Sequence, residues 1–270
     1  MTTSGRLRLS SSIASRRLVG MGMLWGLLIV LVVTGCQSTS SSHTLYPESI
    51  ADQYLPRDRQ VEAPPDSMRS LTIVERDDKL VFEMEQSYQR MHQSWSSTFD
   101  LLSAGRRPAR PLTYATLWSK ELSLAALDAR EGVSTLTKDA ARDRIEAERK
   151  AHNETIQIDL YWFTGPRQSP PSLLRANAQL RTRNGATENH RPREVRNLPI
   201  RDAVLNTGES VLYRRIILVF DRVVDDRDIL VDTNGLQLRI TPGGTTRLQF
   251  AWSWPDEGGE PTAESNHFRE

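Results

Sequence analysis

Val211 to Val224 reads VLYRRIILVFDRVV. Its middle is apolar at consecutive positions, so both faces of an extended chain there are apolar. A strand of that kind is buried on both sides and sits centrally in a sheet. Outward from it the same period of two recurs. Ile156, Ile158, Leu160 and Trp162 alternate with Gln157, Asp159, Tyr161 and Phe163. Leu174, Ala176, Ala178 and Leu180 alternate with Arg175, Asn177, Gln179 and Arg181, the pattern of a strand with one buried and one wet face. Downstream, Ile229–Val231 and Leu236–Ile240 flank Asp232-Thr233-Asn234-Gly235, a hairpin signal, and Leu248, Phe250, Trp252 and Trp254 form a last strand. Leu112–Trp118 adds one more, whereas the polar run Asn184–Asn197 reads as a loop. Many short strands joined by Gly, Pro and Asn turns predict a mainly β fold, an antiparallel β-sandwich or barrel-like domain.

Helices interrupt this pattern as insertions. Val81, Met84, Tyr88, Met91, Trp95 and Leu102 fall at spacings of three, four and seven, which predicts an amphipathic helix near 78–104 capped by Asp77 or Asp78. Ser119 caps a helix over 119–131 that Gly132 stops. Thr137 caps a surface helix over 137–152, with Arg142, Glu146 and Lys150 at i,i+4 spacing. These two helices lie between strands and are expected to form a crossover. Residues 71–254 then make a single β-rich domain, and residues 255–270 a disordered tail. Residues 36–70 are polar and carry Pro47, Pro56, Pro64 and Pro65, which predicts a flexible tether.

The first 35 residues differ in kind. Arg6, Arg8, Arg16 and Arg17 precede a 16-residue apolar run, Leu18–Val33, and no acid occurs before Cys36. A basic segment, a short apolar core and a small-residue cleavage site define a secretory signal. An uncleaved membrane anchor is the alternative, but a spanning helix needs about 20 apolar residues. The run ends in Val33-Thr34-Gly35-Cys36, which resembles the lipobox of bacterial lipoproteins. The resemblance implies cleavage between Gly35 and Cys36, a diacylglyceryl thioether on Cys36, and acylation of the new amino terminus. It therefore implies a protein of the cell envelope, bound to the membrane through lipid on Cys36. Gln37 in place of Asp points to the outer membrane in a Gram-negative cell. Cys36 is the only cysteine, so no intrachain disulfide forms.

Without residues 1–35 the chain keeps 31 Lys plus Arg against 34 Asp plus Glu, a slightly acidic balance that argues against nucleic acid as a partner. The motifs HExxH, GxSxG and SxxK are absent, as is a phosphate-cradling glycine loop. The five histidines have no metal-type spacing. No catalytic residue, metal or cofactor is therefore expected. Trp252, Trp254, Tyr161 and Trp162 are the candidate binding residues, for a glycan face, against their more usual role as core. The expectation is a non-catalytic binding or scaffold lipoprotein with an envelope protein or glycan as partner. Two alternatives stand beside it: an envelope hydrolase acting on glycan through carboxylates, and an oligomer built through the helix at 78–104.

Overall fold

The chain divides into residues 1–42 and 43–270. The computed structural model describes residues 47–101, 113–183, 189–231, 233–242 and 247–255, all in the second unit. The signal segment, Gly35, Cys36 and the tail from 256 lie outside the described residues.

In chain order the elements are α1 (Pro47–Ala51), β1 (Asp58–Gln60), β2 (Leu71–Arg76), β3 (Lys79–Met84), α2 (Tyr88–Ser94), β4 (Ser96–Thr98), β5 (Asp100–Leu101) and β6 (Tyr114–Leu117). Next come α3 (Lys120–Glu131), α4 (Lys138–Glu154), β7 (Thr155–Thr164), β8 (Ala178–Thr182), β9 (Asn189–His190), β10 (Glu194–Asn197), β11 (Arg201–Val204) and β12 (Ser210–Asp221). The last are β13 (Val223–Val224), β14 (Arg227–Asp228), β15 (Gly235–Ile240) and β16 (Leu248–Ser253). The fold is mainly β with α insertions, as the alternation predicts. One sheet has the order β1-β16-β15-β8-β9 with β5 also on β16, and the other β10-β12-β7-β6-β4 with β11 also on β12. All pairings are antiparallel except β1 with β16.

The two sheets share one core in a sandwich-like arrangement. Ile156, Ile158 and Leu160 of β7 and Ile216, Leu218 and Phe220 of β12 meet Leu180 of β8, Leu238 of β15 and Phe250 of β16. Burying each such side chain stabilises the fold by roughly 1.5–3 kcal/mol. β12 is central, as its double-faced apolar run requires: β7 pairs along one edge, β10 and β11 along the other. The opposite face of β7 and β12 is also buried. There Tyr161, Phe163 and Val211 pack with Tyr114 and Leu205, and α1 covers them with Ile50 and Ala51, joined by the following Leu55. Gly235 opens β15 where a Cβ would lie 2.6 Å from the Trp252 carbonyl and from the Arg183 side chain, so the cross-strand approach needs glycine.

The two inserted helices form where expected, but they join the adjacent antiparallel strands β6 and β7 and are not a crossover. Ser119 Oγ accepts from Leu122 N at 3.2 Å, and Gly132 ends α3 in the left-handed region at φ 62°. Thr137 occupies the N-cap of α4 without a side-chain cap bond. The expected i,i+4 pairs do not form: Arg142 reaches Glu75, Glu146 meets Arg149 and Lys150 meets Glu154. α4 lies beside the β2–β3 hairpin, so charges across that packing capture its surface side chains.

Five expectations are corrected. Residues 78–104 are not one helix. Asp77 and Asp78 both adopt positive φ (47° and 59°), the backbone of a type I′ turn, and join β2 to β3. Leu80 and Phe82 are buried at a period of two, and only α2 keeps helical spacing. The residue pattern fits both periods over a few positions, and the turn decides between them. The long helix proposed for oligomerisation therefore does not exist. The tether is also shorter than residues 36–70, because from Pro47 onward the chain is folded: Ile50 and Leu55 are fully buried and β1 pairs with β16. β8 starts at Ala178, after a 3-10 turn at Arg175–Asn177. Residues 229–231 form a turn rather than a strand, and the supposed loop after 184 carries β9 and β10 as edge strands. Short edge strands with few apolar residues leave little hydrophobic signal in sequence.

Candidate functional site

The four aromatic candidates do not form a binding face. Trp252 is 0% exposed and its Nε1 donates to the Trp95 carbonyl at 2.8 Å. Trp254 is 5% exposed and donates to the Thr233 carbonyl at 2.9 Å. Tyr161 is buried and stacks on Tyr114 with centroids 4.8 Å apart. Trp162 packs against the main core from the other side of β7. Trp252, Trp254 and Tyr161 belong to the interior, where large aromatics contribute most burial, and Trp162 is half-buried against it. Gly35 and Cys36 lie outside the described residues.

Polar side chains collect at three places. In the interior, Asp159 of β7 and Arg215 of β12 project from the same face of adjacent strands. Arg215 Nε and a terminal nitrogen approach Asp159 Oδ2 at 2.7 and 2.6 Å, with both side chains nearly inaccessible. Burial opposes the Arg215 charge, but the Asp159 carboxylate outweighs it and holds the guanidinium protonated. His92, 1% exposed, sits beside this pair among the rings of Tyr88, Tyr114, Trp118 and Tyr161, at centroid distances of 6.0–6.4 Å. Neither ring nitrogen has a hydrogen-bond partner. Burial first, and then the charges of Arg215 and Arg130, lower its pKa to about 3, so it is neutral. Burial likewise pushes the Tyr88 hydroxyl up to about 12. These groups are closed off and structural.

A second cluster clasps the N-terminal segment to the sheet. Arg222 donates to Asp66 Oδ1 and Oδ2 at 2.7 and 2.6 Å and to Asp228 Oδ2 at 2.8 and 2.7 Å. His152 Nε2 lies 2.9 Å from Asp66 Oδ1. Burial works to raise the Asp66 carboxyl. The hydrogen bonds from His152 and Arg222, with their charges, overcome it and hold the group well below the usual carboxylate range. Asp228 of the Asp225-Asp226-Arg227-Asp228 turn is thus engaged by Arg222. No group of three metal-ligating side chains occurs among the described residues.

The third place is open. A cleft of about 480 Å³ lies between β1 with its following turn, the end of β3 and the starts of α3 and β4. Its lining includes Arg59, Glu62, Arg69, Glu85, Trp95 and Glu121, and its volume falls within the range of small-ligand sites. β1 places Arg59 because its parallel pairing with β16 puts Arg59 opposite Trp252. Arg59 Nε donates to the Ser96 carbonyl at 2.9 Å and a terminal nitrogen to the Gln93 carbonyl at 3.2 Å, at the C-terminal end of α2. Burial lowers its pKa. Glu121, in the first turn of α3, is buried and accepts from the Ser70 amide at 2.5 Å. Burial raises its pKa against the bonds from the Ser70, Arg69 and Leu71 amides, and Glu85 adds a like charge.

None of the charged cleft residues was singled out in the sequence, and Trp95 was read only as part of the helical stripe near 78–104. Arg59 and Arg69 lie in the stretch that reads as tether, and Glu85 in the stretch that reads as helix. Only Glu121 carried a signal, as an acid in a helix first turn, and that signal speaks of the helix dipole rather than of a cleft. No helix among the described residues is long and apolar enough to cross a membrane. No protein family matches the chain, and neither a curated protein nor a solved structure is found similar to it.

Proposed function

We propose that this protein is a lipid-anchored lipoprotein of the cell envelope whose β-sandwich-like domain is a non-catalytic binding or scaffold module. The observation that carries the anchoring is Val33-Thr34-Gly35-Cys36 after 16 apolar residues and four arginines. Several acyl chains together give stable attachment, because each buried methylene contributes about 0.8 kcal/mol. Gln37 after the lipidated cysteine favours the outer membrane. The partner is another envelope component, and the cleft beside β1 offers it a concave, charged surface.

The buried carboxylates support binding rather than hydrolysis. Glu121 is engaged by backbone amides and Asp159 by Arg215, so each already has a partner in the fold. A general acid and base pair would need both groups turned toward a substrate.

Mass analysis of the chain recovered from cell membranes tests the anchor. The expected species starts at Cys36 and carries diacylglyceryl and acyl mass, and Cys36→Ala moves the protein to the soluble fraction. A chain that remains membrane-bound after Cys36→Ala would overturn the reading.

A further inference from the structure

We propose that the cleft beside β1 binds a small zwitterion, a free amino acid or a short peptide with free ends, with its carboxylate on Arg59 and Arg69 and its ammonium on Glu85. The proposal rests on the reading of the domain as a binding module and names the chemistry of its ligand.

Charge separation inside the cleft carries it. Two arginines and three glutamates line one cavity, yet none of the five forms an ion pair within 4.0 Å among the described residues. Elsewhere on the same domain even exposed arginines find carboxylates, as Arg76 does with Glu83 and Arg144 with Glu131. In the cleft, Arg59 instead spends its Nε and one terminal nitrogen on the carbonyls of Ser96 and Gln93. Those two bonds fix the plane of the guanidinium and leave its other terminal nitrogen for a ligand. Arg69 makes one long bond, 3.4 Å, to the Glu62 carbonyl. A planar, pre-oriented guanidinium is the group best matched to a carboxylate.

The opposite charges exclude simpler ligands. A lone anion on Arg59 would meet Glu62, Glu85 and Glu121 across the same cavity, and a lone cation on the glutamates would meet both arginines. A molecule carrying both an ammonium and a carboxylate satisfies both sets. A neutral sugar would need an exposed aromatic face, and Trp95 is only 7% exposed.

The test titrates the full chain in detergent with trialanine bearing free ends, and with its N-acetylated and C-amidated forms, by calorimetry. The expected result is saturable binding of the free-ended peptide, weakened at least tenfold by blocking either end. Arg59→Met abolishes it. Because Arg59 also holds two carbonyls, Glu85→Gln serves as the second variant: its side chain is exposed, and it weakens the free-ended peptide while leaving the N-acetylated form unchanged. Equal binding of free and blocked peptides, binding that survives Arg59→Met, or no binding to a chain with an intact thermal transition would overturn the proposal. The lipid on Cys36 is read separately by mass, so failure here leaves the anchoring result standing, and failure of anchoring leaves this one.

Discussion

Arg222, which is buried, and Arg59, which is half-buried, are arginines of the same domain with opposite surroundings. Arg222 faces two carboxylates, Asp66 and Asp228, and the His152 carbonyl as well. Among the described residues, Arg59 bonds two backbone carbonyls and forms no ion pair with a carboxylate. A guanidinium taken from water loses solvation that only a close counter-charge restores in full. The Arg222 cluster is therefore complete and joins residue 66 to the β12 end and α4, a structural clasp. Among the described residues, Arg59 has no counter-charge in contact, and it lines an open cleft. Arg215 marks the extreme of the first kind, paired with Asp159 and shut in on all sides.

The largest effect is expected at that extreme. Asp159→Ala leaves Arg215 buried and uncompensated and destabilises the domain by about 3–5 kcal/mol, read by urea denaturation. The double substitution Asp159→Leu with Arg215→Met recovers most of that loss if the pair serves packing alone. A double variant as unstable as the single one would mean that the charges organise the neighbouring rings.

Next is the acid response of His92. Its folded pKa, about 3, lies below its ordinary value of 6.5. The unfolded chain takes up a proton as pH falls through 6.5, and the folded chain does so only near 3. Stability is thus undiminished above 6.5 and falls by about 1.4 kcal/mol per pH unit across that window. His92→Leu flattens the slope by one proton in denaturation curves recorded from pH 7 to 4. An unchanged slope would show that the ring is not neutral in the fold.

The clasp is weaker because Asp66 keeps 40% of its side chain in solvent. Asp66→Asn costs about 1 kcal/mol at neutral pH after solvent screening is allowed for. Its folded carboxyl lies below the unfolded value, so the contribution is present above about pH 4 and is lost as pH falls below it. Thermal melts of the two proteins should converge in acid. The smallest effect on stability belongs to the cleft: Glu85→Gln stays within about 0.5 kcal/mol of the parent. A large loss there would turn the cleft into a second clasp and erase the contrast with Arg222.

The parts of the fold that were legible in the sequence are those where one signal has no rival. The run Ile216–Phe220 is apolar on both faces, and only a central strand buries both. Ser119 and Gly132 bracket α3 because a hydroxyl cap and a left-handed glycine meet needs that the helix ends create locally. At Val81–Tyr88 two periods overlapped, and the Asp77-Asp78 turn, which depends on two residues tolerating positive φ, settled it. Trp252 and Tyr161 carried an aromatic signal that could not distinguish core from surface, and packing made them core.

By itself the sequence determined the strand-rich pattern, the two inserted helices and the signal that resembles a lipobox, because alternation, caps and apolar runs are local properties. Only the tertiary structure decided that residues 47–60 fold onto the sheets and that Arg59, Glu85 and Glu121 share one cleft. Those residues are up to 62 positions apart, and the β1–β16 pairing, the β2–β3 turn and the start of α3 bring them together only when the core closes.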